Sequence, residues 1–160
     1  MAERAGYPPE WLSAVPNPSV EAFAGVSCLP CFAEIPEGAL VLDLGCGAGL
    51  DSLLVAARAG GVLGIDFSED MVSRARGSAA AMGVTNVEFR RADAEAIPAA
   101  TGSVDVALVN GIFNLNPARR EIFSELARVV RTGGRVFAAE LILRGPLPAE
   151  VRSSEADWFA

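Results

Sequence analysis

The segment Asp43-Leu44-Gly45-Cys46-Gly47-Ala48-Gly49 carries the densest chemistry of the chain, between a short apolar run and a helical pattern. Glycines in such a turn let the backbone take positive φ and let a ligand approach where a Cβ would clash. A bare glycine pattern is weak, and the strand-turn-helix setting is what gives this one meaning. Asp66 ends the next apolar run, where a carboxylate can accept from both hydroxyls of a ribose. Further on, Arg91-Ala92-Asp93-Ala94 follows a third run, where an acidic side chain can accept from an adenine amino group.

The spacing bears on which adenosine ligand fits. A nicotinamide dinucleotide brings an anionic pyrophosphate, which favours the positive end of the following helix and usually a G-x-G-x-x-G spacing. Here the spacing is G-x-G-x-G, opened by Asp43 and followed by Asp51. Two carboxylates beside the loop repel a pyrophosphate but suit the ammonium and sulfonium of S-adenosylmethionine. The candidate donor site is therefore Asp43, Gly45, Cys46, Gly47, Gly49, Asp66, Phe67, Asp93 and Ala94, with a dinucleotide or a purely structural turn as alternatives.

Asn110 joins this set from the end of a fourth run, because strand carboxyl ends line the ligand crevice of an open α/β sheet. An amide there can orient donor or acceptor; the alternative is a turn-forming asparagine. Asn114 has a similar, less supported claim. Asp105, inside the run, reads as a cap partner rather than a catalyst.

The chain contains no histidine, which removes the usual general base near neutral pH and the commonest metal ligand. A net charge of -7 argues against a nucleic-acid binder, and Arg90-Arg91 and Arg119-Arg120 read as solvated surface. No stretch approaches the roughly 20 apolar residues that cross a bilayer. The N-terminus shows no secretory pattern, and an odd count of three cysteines fits a reducing compartment, so the expected location is the cytoplasm. Cys28-Leu29-Pro30-Cys31 is a C-x-x-C without a second pair or a histidine, so it makes no zinc site. A redox pair, an incidental pair, and an arsenite site formed by Cys28, Cys31 and Cys46 are the readings it leaves.

The elements that must position these residues follow from periodicity. Residues 1–38, rich in Pro, Gly and small residues, read as an arm packing on the domain, with a short helix over 19–24. Residues 39–160 form the donor-binding domain. Apolar runs predict strands over 39–44, 62–66, 87–90, 104–109 and 135–143. Helical spacing predicts helices over 51–59, 69–82, capped by Ser68 and stopped by Gly83, and 118–130. The alternation predicts an α/β, Rossmann-like, mostly parallel sheet with helices on both faces.

Asp43 to Gly49, Asp66, Asp93 and the strand pattern resemble class I S-adenosylmethionine-dependent methyltransferases. Gly6-Tyr7-Pro8, Glu21 to Val26, Gly83 to Arg90, Asn114 to Pro117 and Gly145 to Pro148 are similar to the arsenite methyltransferase family. The resemblance implies a Rossmann-like fold, S-adenosylmethionine as cofactor, and methyl transfer to a small molecule, with arsenite the acceptor of that family. It also implies departures. Ser52 stands where the family often has a cysteine, residues 110–114 contain no thiol, and the family's next cysteine would lie beyond Ala160. A non-catalytic module that binds donor or metalloid is therefore the alternative function. The class continues past a fifth strand into two more, which this sequence is expected to lack, leaving an open sheet edge suited to self-association.

Overall fold

The computed structural model describes residues 1–142 and Gly145. Its frame is a five-stranded sheet in which every neighbouring pair is parallel, in the order β3-β2-β1-β4-β5. The strands are β1 (Leu40–Leu44), β2 (Gly61–Asp66), β3 (Val87–Arg91), β4 (Val104–Asn110) and β5 (Val130–Ala139). β1 and β4 are the central strands, and Val41, Leu42, Leu44, Val106 and Leu108 are sealed from solvent. Near-continuous apolar runs suit that place, since both faces of a parallel sheet are covered.

The described residues form six α-helices, α1 (Pro9–Ala14), α2 (Asn17–Glu21), α3 (Leu29–Phe32), α4 (Leu50–Ala56), α5 (Glu69–Met82) and α6 (Arg119–Val129), of which α3 to α6 pack on the sheet and α2 packs on α5. One face packs Val41 against Val55 of α4 and Leu29 of α3. The other packs Leu42 and Leu44 against Ile122 and Leu126 of α6. Ala2, Tyr7, Val15 and Cys28 of the N-terminal segment share a cluster with Leu50, Leu53, Val72 and Ala75 of α4 and α5. Ser68 caps α5 by accepting from Met71 N, and Gly83, at φ 67°, ends it in the left-handed conformation.

The arm's helix runs Asn17–Glu21 rather than 19–24, and three boundaries of the following domain differ from the sequence expectation by three residues or more. The helix after the glycine loop ends at Ala56 rather than residue 59, where Asn86 Nδ2 donates to the Ala56 and Ala59 carbonyls. β5 begins at Val130, directly after α6, and Gly133-Gly134 lies within it instead of before it. A register shift between Val104 and Val106 accommodates that stretch, and a Cβ on Gly134 would sit 2.8 Å from Asp105 O. β5 also stops at Ala139 rather than 143, because Glu140 turns to accept from Phe113 N at 2.7 Å. The expectation of two missing strands falls on residues after β5, most of which lie outside the described residues.

Candidate functional site

The carboxyl ends of β1, β2 and β4 open onto one cavity of about 920 Å³. Of the candidates, Asp43, Gly45, Cys46, Gly47, Asp66, Phe67, Asp93, Ala94 and Asn110 line it. Gly49 does not. It is the N-cap of α4, at φ 86°, and a Cβ there would lie 2.8 Å from Phe89 Cζ. Its glycine is required by packing beneath the loop.

Gly45 and Gly47 also hold positive φ, for different reasons. A Cβ on Gly45 would lie 2.5 Å from Ile112 Cγ2, so that turn packs under the segment after β4. A Cβ on Gly47 would meet nothing within 4 Å, which leaves the loop open toward a ligand. Asp66 Oδ2 accepts from Gly47 N and Oδ1 from Ser68 N, both at 2.9 Å. Each carboxylate oxygen keeps a free lone pair, so the group is held in place with capacity left for a diol.

Asp43 and Asp51 form the buried end of the cavity. Ser52 Oγ donates to Asp43 Oδ2 at 2.6 Å, the Tyr7 hydroxyl donates to Asp51 Oδ1, and Asn110 Nδ2 donates to Asp51 Oδ2 at 2.9 Å. Burial pushes both acids up, Asp43 to about 7 with the charge of Asp51 adding, and Asp51 to about 6 against the hydrogen bonds of Tyr7 and Asn110. The Tyr7 hydroxyl is pushed far up by burial and by Asp51, so it stays a donor. Among the described residues no arginine, the one cationic residue type of this chain, lines the cavity. Buried carboxylates without a resident cation suit a cationic ligand group and oppose a pyrophosphate.

Cys28 and Cys31 are joined in a disulfide, while Cys46 is alone and buried, its thiol pushed up by burial and by Asp43. Among the described residues no group of three His, Cys, Asp or Glu side chains is arranged to hold a metal ion. Asn114 faces away into a bond with Leu141 O at 2.6 Å, and Asp105 binds Leu40 N and Arg131.

Tyr7 has a place in the site that the residues alone did not give it, since it reaches Asp51 from 44 positions upstream. Phe23, Ala24 and Gly25, from the segment after α2, form a cavity wall. The similarity of Gly6-Tyr7-Pro8 and of Glu21 to Val26 to a known family was the signal pointing at these two stretches.

Sheet order and an acid-lined cavity fit the class I S-adenosylmethionine-dependent methyltransferases. Residues 35–159 match the methyltransferase-domain family, and the chain belongs to it; the cofactor of its class is S-adenosylmethionine. Over 156 residues, 94 % of its length, the chain is 36 % identical to an arsenite methyltransferase of Halobacterium salinarum, of which it covers 39 %. It is 36 % identical over 116 residues to a phosphatidylethanolamine N-methyltransferase of Cereibacter sphaeroides, covering 71 % of this chain and 57 % of that one. An arsenic(III) S-adenosylmethionine methyltransferase structure from Chlamydomonas reinhardtii superposes with a TM-score of 0.79 at 28 % identity, covering 94 % of this chain and 55 % of that one. The chain thus spans between about two fifths and three fifths of these relatives.

Proposed function

We propose that this chain binds S-adenosylmethionine along the carboxyl ends of β1, β2 and β4 and transfers its methyl group to a small molecule, arsenite being the first acceptor to test. The observation that carries this reading is the cavity itself, which has acids at its buried end and, among the described residues, no cation in its lining. In it, Asp66 takes the ribose hydroxyls, Asp93 the adenine amino group, and Asp43 with Asp51 the ammonium end. When bound, the donor supplies an electrophilic methyl group on a sulfonium. The protein then contributes alignment and exclusion of water more than proton transfer, because a soft nucleophile attacks without a general base.

The arsenite methyltransferase relatives support arsenite as acceptor. The Cys28–Cys31 disulfide and the thiol-free segment after β4 support a second reading, a module that binds the donor without turnover. Calorimetric titration with S-adenosylmethionine, repeated with Asp66→Ala, tests the donor site, and transfer of labelled methyl to arsenite plus thiol tests the acceptor. Absence of donor binding by the folded chain would end the first reading. Binding without transfer to any acceptor would select the second.

The net charge of -7 supports a small-molecule partner over nucleic acid. A cytoplasmic setting rests on the odd count of three cysteines, and the Cys28–Cys31 disulfide counts against it. No described helix is long and apolar enough to cross a membrane. β5 ends the sheet on one side, with Val136 45 % exposed, which supports self-association through that edge. Sedimentation across a concentration series tests it, and a purely monomeric chain would remove it.

A further inference from the structure

Asn110 spends every hydrogen-bonding position of its carboxamide on the protein. Oδ1 accepts from Val26 N at 2.7 Å and from Ser27 N at 3.3 Å. Nδ2 donates to Ser27 O at 2.8 Å and to Asp51 Oδ2 at 2.9 Å. A primary amide has two acceptor positions and two donor hydrogens, so none is left for a ligand. Asn110 lines the donor cavity, yet its polar atoms are turned to the N-terminal arm and to α4.

The junction is tight. A Cβ on Gly25 would lie 2.7 Å from Asn110 Cγ, and one on Gly111 would lie 3.2 Å from Val26 Cγ2. Tyr7 closes the same junction from the other side, its one hydroxyl proton going to Asp51 while Ser27 O lies 3.3 Å away. The residues just before the junction, Phe23, Ala24 and Gly25, are a wall of the cavity. One side chain therefore pins a cavity wall to the end of β4 and aims the carboxylate at the buried end.

Resting on the donor reading above, we propose that Asn110 is a positioning residue that latches the arm across the donor cavity and orients Asp51, so that donor exchange requires the latch to open. An ionised aspartate loses both donors and sets a second carboxylate against Asp51, while alanine leaves the Val26 and Ser27 N–H groups and Asp51 Oδ2 without the amide, Ser27 O still accepting from Leu29 N at 3.0 Å.

Backbone hydrogen exchange of the full chain tests the latch without any ligand. Asn110→Ala is expected to speed exchange at Val26 and Ser27 by about tenfold while β1 and β4 stay protected, and to weaken S-adenosylmethionine binding by about tenfold. Saturating donor should slow exchange over residues 23–28 in the parent chain and do so far less in the variant. Asn110→Asp supplies the readout that a merely structural asparagine would not move. Its new carboxyl, when protonated, can donate its one hydrogen to Asp51 Oδ2 and still accept from Val26 N, whereas the ionised form can only accept. The latch should hold better at pH 5 than at pH 8, after correction for intrinsic exchange. The titratable groups around it are Asp51 on α4, Tyr7 on the arm, Asp43 on β1 and Asp66 on β2. Unchanged exchange at 26–27 in Asn110→Ala, or no pH dependence in Asn110→Asp beyond that of the parent, overturns the proposal. If Asn110→Ala does not fold, Asn110→Asp compared with itself at two pH values decides. A parent chain that binds no donor ends the donor reading, and the ligand-free exchange still judges the latch.

Discussion

Asp43 and Asp51 lie at the buried end of one cavity, 2 % and 5 % exposed, and both take their side-chain hydrogen bonds from neutral groups. Their folded pKa values, raised to about 7 and about 6, exceed the unfolded carboxylate value of about 3.9. The folded chain therefore keeps protons that the unfolded chain has lost. The stability this pair contributes is full below about pH 4 and falls as pH rises through 6 to 7, in two steps that belong to the pair rather than to either acid. Denaturant midpoints of the ligand-free chain should fall between pH 5 and 8, and Asp43→Asn should flatten the decline. An equally steep decline in the variant would remove the pair as its cause.

Donor binding should show the opposite slope. A ligand ammonium favours the ionised carboxylates, so affinity for S-adenosylmethionine should rise from pH 5 to 8 with release of protons. Calorimetric enthalpies measured in buffers of different ionisation heat will reveal that release. Enthalpies independent of buffer would mean that the acids do not face the charged end of the donor.

Tyr7→Phe removes one hydroxyl and leaves the rest of the ring packed against Phe23 at 4.9 Å between centroids. Asp51 Oδ1 then loses its donor in a buried setting, which costs about 1–3 kcal/mol. Urea unfolding at pH 8, where Asp51 is ionised, should show the larger loss, and at pH 5 the smaller. Equal losses at both pH values would place the effect in packing.

Much of the sheet was legible because β1 and β4 are mostly apolar runs and the caps Ser68 and Gly83 are local signals. Glycine-loop chemistry and Asp66 are local too, each at the end of a strand. The arm was harder to read, for a physical reason. Pro9, Pro18 and Pro30 look like helix breakers in sequence, yet each sits in the first turn of a short helix, where a missing N–H costs nothing. The roles of Tyr7 and Asn110 rest on partners 44 to 84 positions away, which no local pattern announces. Asn110 could be placed at a strand end, but its four partners could not.

Gly49→Ala should destabilise the chain by about 2 kcal/mol or more, since it forces φ 86° on a residue with a Cβ that meets Phe89 at 2.8 Å. Gly47→Ala also strains φ but meets no protein atom, so its stability cost should be the smaller and its effect on donor binding the larger. Paired measurements of urea midpoint and donor affinity check this. The reverse ranking in affinity would move the ligand away from Gly47.

The cysteines make the last prediction, because their pairing decides which soft ligands remain. With Cys28 and Cys31 joined, alkylation of the chain unfolded without reductant should modify Cys46 alone, and all three cysteines after reduction. In the folded, reduced chain Cys31 should react first. It is exposed, whereas Cys28 and Cys46 are 2 % and 8 % accessible and burial raises the Cys46 thiol further. Mass spectrometry of the alkylated peptides reads each site. Three modified cysteines without reductant would mean that the pair is held as thiols, and two adjacent soft donors would then be available to a trivalent metalloid. Modification of Cys46 alone would leave that chemistry to the reduced state, and arsenite should then raise the melting temperature only after reductant is added.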